Sequence, residues 1–181
     1  MAGLALATWK EAPLPLSSLN HISRNCANIQ ESLDFYVNLL GFVPIKRPGF
    51  LNFDGAWLFN YGIGIHLLQE EVPADRHSLH ATDVINPRND HISFQCDDIE
   101  VVGKRLSEAG IKYVRRVVEE GGIEVEQLFF HDPDGFMIEV CTCEKLPLEP
   151  IAGSSCYREF CQRQLPSACH LVPYPATNHT Y

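Results

Sequence analysis

The chain has 181 residues, of which 45% are hydrophobic and 20% are charged. This composition is typical of a globular domain with a substantial core, and the chain is short for two domains of ordinary size. The net charge of -9 argues against nucleic acid or an anionic membrane as the main partner, because both are negatively charged. Small molecules and proteins remain as partners. No apolar run approaches the roughly eighteen residues of a membrane span.

The N-terminal residues 1–17 form a predicted extension with no basic segment before the apolar residues and no convincing cleavage site. Seven cysteines are an odd number in a chain long enough to fold without disulfides. We therefore expect reduced thiols and a cytoplasmic location.

A short stretch occurs twice, as "NHISRNC" at residues 20–26 and "DHISFQC" at residues 90–96. Five of nine aligned positions are identical at an offset of seventy residues: His21, Ile22, Ser23, Cys26 and Ile29 align with His91, Ile92, Ser93, Cys96 and Ile99. Each copy predicts a strand followed by a helix. The helix ends at a glycine, Gly41 in the first copy and Gly110 in the second. The chain therefore contains an internal repeat.

Short apolar segments follow each helix and predict further strands. The first half contains "FVPIKR", "FLNF", "WLFN" and "IGIHLLQ", and the second contains "IKYVRRVV", "VEQLFF" and "FMIEVCT". We predict a single α+β domain over residues 18–144, built from two βαβββ modules at 18–69 and 90–144 that bury their open sheet faces together. Residues 70–89 are a predicted linker or lid, and residues 145–181 a peripheral or partly disordered tail.

The last strands of the two modules also align, because Gly62-x-x-Ile65-His66 matches Gly135-x-x-Ile138-Glu139. Each module thus carries one titratable residue early in its first strand and another in its last strand. Strand alternation and a pseudo-twofold relation between the modules would bring these four titratable residues together. The predicted ligands are His21, His66, His91 and Glu139. Three imidazoles and a carboxylate suit a divalent metal such as zinc, nickel, cobalt, manganese or iron.

Alternatively, any one of these residues could be an ordinary polar residue of a strand that forms hydrogen bonds and binds no metal. We predict that the remaining histidines lie at the surface: His77, His80, His131, His170 and His179. In the turn from Phe130 to Gly135, we predict that Asp132 and Asp134 cap the turn and do not form a catalytic pair.

The stretches "HISRNCANIQESLDFYVNLLGF", "IGIHLL", "DHISFQC" and "FFHDPDGFMIEVC" resemble the vicinal oxygen chelate (VOC) superfamily. This superfamily has the glyoxalase/bleomycin resistance/dihydroxybiphenyl dioxygenase fold. The likeness spans residues 19–144 and is greatest to plant glyoxalase I, or lactoylglutathione lyase, proteins. The resemblance implies that His21, His66, His91 and Glu139 hold the metal, and that Glu139 is the catalytic base.

The resemblance also shows departures from glyoxalase I. His66 stands where glyoxalase I has a glutamate, so Glu139 is the one base left to move a proton. Asn25 stands where an arginine holds a glutathione carboxylate, and alternation should turn Arg24 away from the site.

The resemblance implies a metal-dependent lyase or isomerase that detoxifies methylglyoxal as its glutathione hemithioacetal, with glutathione as cosubstrate and a homodimer as one possible assembly. Two alternatives remain open. One is a VOC-fold binding protein without turnover. The other is a thiol transferase or dioxygenase that uses a His-His-Glu metal site formed by His21, His91 and Glu139.

Overall fold

The computed structural model describes residues 14–50, 52–71 and 84–147. Most of the predicted extension, linker and tail therefore lies outside the described residues, and the predicted segment boundaries stay predictions. The predicted surface positions of four histidines also fall outside: His77, His80, His170 and His179. No helix within the described ranges is long and apolar enough to cross a membrane.

The first module forms a four-stranded mixed sheet. Its strands lie in the order β1-β4-β3-β2, with β1 parallel to β4 and the other pairs antiparallel. The elements are β1 (His21–Cys26), α1 (Ile29–Leu33), a π-helix (Asp34–Leu39), β2 (Val43–Ile45), β3 (Gly55–Asn60) and β4 (Ile63–Gln69).

The second module repeats this topology, with strand order β5-β8-β7-β6 and β5 parallel to β8. Its elements are β5 (His91–Gln95), α2 (Ile99–Glu108), β6 (Tyr113–Glu120), β7 (Ile123–His131), β8 (Met137–Cys141) and a 3₁₀-helix (Cys143–Lys145). The predicted α+β fold of two βαβββ modules is confirmed. One strand candidate is wrong, because the described residues of "FLNF" form a turn and a bend before β3.

The helices begin and end where the sequence predicts, for local reasons. The side chain of Asn28 accepts a hydrogen bond from the backbone N–H of Gln30, and that of Asp98 accepts from Glu100 and Val101. After each helix the backbone turns through a glycine with a positive φ, 78° at Gly41 and 69° at Gly110. Glycine adopts this conformation without steric cost. The π-helical turn that continues α1 was not predicted.

The two modules share one hydrophobic core. Phe42, Leu58 and Ile65 from the first module and Phe130 and Ile138 from the second are at most 1% exposed and belong to the same buried cluster. Aromatic rings cross the boundary between the modules, since the Phe35 and Phe130 ring centroids are 6.2 Å apart. The modules therefore pack together through the faces that carry Ile65 and Ile138, which strand alternation places opposite His66 and Glu139.

The turn between β7 and β8 ties the modules together through two carboxylates. Asp132 Oδ1 accepts hydrogen bonds from the backbone N–H groups of Asp134 (3.0 Å) and Phe136 (2.8 Å), while its Oδ2 accepts from the Tyr36 hydroxyl at 2.7 Å. Asp134 accepts from the Ala27 backbone N–H at 2.8 Å and from the Ser32 hydroxyl at 2.9 Å. Asp132 caps the turn as predicted, whereas the carboxylate of Asp134 does not cap the turn and instead fixes its position against the first module.

Candidate metal centre

The first pair of predicted ligands, His21 and His66, lies on one face of the first sheet. Parallel pairing places Ser23 beside His66, and antiparallel pairing places Trp57 on its other side. The His66 ring stacks on His21 with centroids 4.0 Å apart and on Trp57 with centroids 4.1 Å apart. Burial lowers the pKa of His66, and the neighbouring His21 lowers it further. A neutral His66 ring keeps a lone pair for a cation.

The second pair, His91 and Glu139, lies on the equivalent face of the second sheet. Glu139 is buried, at 4% exposure, and its Oε2 is 3.2 Å from Nε2 of His91. Glu139 Oε1 accepts a hydrogen bond from the side-chain amide of Gln127 at 2.5 Å. The carboxylate is therefore held from both sides, and its burial has to be offset by these polar contacts.

The hydrogen bonds of the histidines determine which ring nitrogen faces a ligand. His91 Nδ1 lies 2.7 Å from the carbonyl oxygen of Asn89, which can only accept, so Nδ1 carries the hydrogen. The lone pair of a neutral ring is then on Nε2, which faces the Glu139 oxygen. Two lone pairs at 3.2 Å repel unless a shared proton or a metal ion lies between them. A histidine fixed through Nδ1 in this way is typical of metal ligands.

His21 has a similar arrangement, since its Nδ1 lies 2.8 Å from Oδ1 of Asn20. The residues present thus fit a divalent metal by their donor types and by the orientation of their rings. The ligand atoms are nonetheless grouped as two pairs. Within residues 14–50, 52–71 and 84–147, no three of the four predicted ligands have their ligand atoms within 4.8 Å of one another. The four-ligand site stays a prediction.

The face of the first sheet that bears the histidines is open and apolar. His21 and Ser23 are exposed there. The strand register adds Val43, Ile45 and Phe59 to the same face, with exposed fractions of 58%, 43% and 48%. Exposed apolar groups around polar ligands are typical of a surface that is covered by a substrate or a protein partner.

The strand alternation turns Arg24 away from this face, as predicted. Its guanidinium carbon lies 4.6 Å from the centroid of the Phe136 ring, and Asn25 is the exposed neighbour on the side of the histidines. Arg24 is therefore not positioned to bind a substrate carboxylate there.

Sequence reasoning missed several residues of the site. Gln127 and Trp57 contact the predicted ligands through neighbouring strands, and their positions follow from strand register, which the repeat does not reveal. His131 is half-buried, not at the surface, and burial lowers its pKa. Strand pairing with Met137 places His131 on the face that carries Glu139.

The expectation of reduced cysteines does not hold for one pair, because a disulfide joins Cys141 to Cys143. These residues follow Glu139 along the chain, and Cys141 shares its sheet face. Among the cysteines that the structure describes, Cys26 and Cys96 are free. Burial raises the pKa of Cys26 to about 11.

A sequence model of the glyoxalase/bleomycin resistance protein/dioxygenase superfamily matches residues 18–140. The chain belongs to this superfamily. It is also similar to the protein named Glyoxylase I 4 of Arabidopsis thaliana, with 54% identity over 170 residues that cover 90% of this chain and 96% of the relative.

Solved structures of the superfamily share the fold at low sequence identity. A glyoxalase/dioxygenase from Nostoc punctiforme has a TM-score of 0.57 and 24% identity, and covers 75% of this chain and 97% of its own. The fosfomycin resistance protein FosX from Listeria monocytogenes has a TM-score of 0.55 and 19% identity, with coverage of 72% and 98%. These two similarities show the fold and do not distinguish the reactions of the superfamily.

Proposed function

We propose that the protein is a glyoxalase I-type lyase that isomerises the hemithioacetal of methylglyoxal and glutathione to S-lactoylglutathione. The observation that carries this proposal is the buried Glu139 carboxylate, held between His91 and Gln127 on one face of the second sheet. Superfamily membership and the similarity to Glyoxylase I 4 support it. The proposed compartment is the cytoplasm, which imaging of a fluorescent fusion tests.

The reaction requires one proton to leave C1 of the substrate and to return at C2. Glu139 accepts the proton at a carboxylate oxygen and donates it back, as a general base and then a general acid. Gln127 keeps Oε1 oriented, and the restricted access around a 4% exposed carboxylate limits exchange of the proton with water.

His21, His66, His91 and Glu139 are the residues proposed to hold a divalent metal. When bound, the metal would polarise the two vicinal oxygens of the substrate and so acidify the C1 proton. The chain contributes three neutral imidazoles and one carboxylate. A divalent ion thus keeps a formal charge of about +1 in this ligand set.

The test is turnover of methylglyoxal and glutathione by the purified chain, supplied separately with nickel, zinc, cobalt and manganese. We expect S-lactoylglutathione to form, and the Glu139→Gln variant to lose activity by about 10³-fold, within the range for a general base. Glu108→Gln is the matched control, because Glu108 lies on the outer surface of α2 beside Lys104. Absence of turnover with all four metals, or full activity of Glu139→Gln, would contradict the proposal.

A three-ligand site is the second candidate, and the stacking of His66 between two rings favours it. The ring centroids of His21 and Trp57 lie 4.0 and 4.1 Å from that of His66, on its two faces. This stacking accounts for the position of the His66 ring without a metal. If His66→Ala binds metal with unchanged stoichiometry and affinity, the His-His-Glu arrangement of a thiol transferase or dioxygenase explains the site better. Metal binding without turnover of any substrate would favour the binding-protein alternative.

The two ligand pairs are proposed to meet across a homodimer, where each copy covers the open sheet face of the other. The separation of the pairs and the exposure of Val43, Ile45 and Phe59 support this assembly. We expect sedimentation to show a dimer, and Phe59→Glu to give monomers with weaker metal binding. Val101→Glu is the control, since Val101 is exposed at 45% but lies on α2. A monomer that binds metal with full affinity would exclude this assembly.

A further inference from the structure

The end of β8 carries a second set of potential metal ligands, formed by Glu139, Cys141 and Cys143. A carboxylate oxygen and the two sulfur atoms all lie within 4.8 Å of one another. Glu139 and Cys141 are buried, at 4% and 3% exposure, and Cys143 is half-buried. The proposed lyase reaction uses neither cysteine.

The backbone of Glu139 and Cys141 is held by strands on both sides of β8, independently of the disulfide. Cys141 pairs with Gln95 of β5 and with Gln127 of β7. Its carbonyl oxygen accepts a hydrogen bond from the Cys96 N–H at 2.9 Å, and the Thr142 N–H donates to the Glu126 carbonyl at 3.1 Å. Reduction of the disulfide therefore leaves Cys141 and Glu139 in place on the sheet.

Reduction by a small thiol is a balanced exchange. Two thiol molecules supply two electrons and two protons, the bond between Cys141 and Cys143 breaks, and the products are two protein thiols and one small-molecule disulfide. A cation that binds the two sulfur atoms then displaces the two thiol protons. Two thiolates spaced one residue apart, with an adjacent carboxylate, favour a thiophilic ion over magnesium or calcium.

We propose that the reduced Cys141–Cys143 pair and Glu139 bind a thiophilic divalent cation such as Zn²⁺, and that disulfide formation abolishes this binding. The nearby Nε2 of His91, 3.2 Å from Glu139 Oε2, offers a further nitrogen donor. The site differs from the histidine-based centre in its sulfur ligands, so it can be detected whether or not the protein is a lyase.

The test uses the full chain and Co²⁺ as a spectroscopic probe. Cobalt bound by thiolates gives an intense charge-transfer absorption in the near ultraviolet, whereas cobalt bound by imidazole and carboxylate does not. After reduction with a trialkylphosphine in the absence of oxygen, we expect this band to appear and to saturate as Co²⁺ is added. The band should be absent from the oxidised chain, a comparison that needs no substitution.

The variants assign the ligands. Cys141→Ser/Cys143→Ser should lose the band, and Glu139→Gln should keep it with about tenfold weaker Co²⁺ binding. Cys156→Ser/Cys161→Ser/Cys169→Ser is the matched control and should retain both the band and the affinity. The proposal is overturned if the reduced wild-type chain gives no band, if the double serine variant keeps it, or if Glu139→Gln binds as tightly as wild type.

Discussion

Glu139 illustrates how one side chain depends on contacts from neighbouring strands. Its position in β8 follows from the alignment with His66, but its environment does not, because Gln127 and His91 reach it from β7 and β5. The His91 ring is in turn oriented by the carbonyl of Asn89. The two ligands of the second module thus have their orientation fixed by residues that the repeat does not identify.

We expect Gln127→Leu to weaken binding of added Ni²⁺ or Zn²⁺ by about tenfold, because Glu139 loses the donor that orients it. The two side chains are similar in size, so the sheet should fold unchanged. Calorimetric titration of the metal measures the effect. Gln95→Leu is the control, since the Gln95 side chain bonds to the backbone of Cys96 and Glu144 and not to Glu139. Equal affinity in Gln127→Leu and wild type would show that the amide has no orienting role.

The elements repeated in the two modules show which local sequence signals determine where helices and strands form. Both helices start at a side chain that accepts backbone N–H groups and both end near a glycine with positive φ, so their positions follow from short-range chemistry. The segment "FLNF" was a wrong strand prediction because aromatic and apolar residues favour a strand only where a partner strand is available. The π-helical continuation of α1 has no comparable sequence signal.

We expect Asp98→Ala to lower the free energy of unfolding by about 1 kcal/mol, because two N–H groups at the start of α2 lose their acceptor. Asp98→Asn keeps an acceptor oxygen and should stay within about 0.5 kcal/mol of wild type. Urea unfolding measures both variants. Equal losses in the two variants would show that the charge of Asp98, and not the capping bond, stabilises the helix.

At the scale of the whole molecule, the modules are joined by a core and by a few buried polar contacts. The Tyr36 hydroxyl donates to Asp132 across the boundary between the modules, and both groups are buried. Burial raises the pKa of Asp132, while the hydrogen bond from Tyr36 lowers it. Because the folded-state pKa is raised, ionisation of Asp132 costs stability as the pH rises through that pKa.

We expect Tyr36→Phe to destabilise the chain by about 2 kcal/mol at neutral pH, since a buried carboxylate loses its donor. The loss should be smaller in acidic buffer, where Asp132 is increasingly protonated. Tyr61→Phe is the control. Its hydroxyl donates to the carbonyl of Leu40 within one module and Tyr61 is exposed, so the expected cost is about 0.5 kcal/mol. Urea unfolding at both pH values tests this, and a pH-independent loss would contradict the role given to Asp132.

The sequence by itself determined the two modules, their βαβββ order, their capped helices and four candidate ligands. These features depend on the spacing of apolar and polar residues along the chain, and this spacing can be read from short stretches of sequence. Only the tertiary structure decided that the ligands lie as two pairs, that Gln127 supports Glu139, and that Tyr36 meets Asp132. These contacts join residues up to about a hundred positions apart, because strand register and the packing of the two modules set them and no local pattern does.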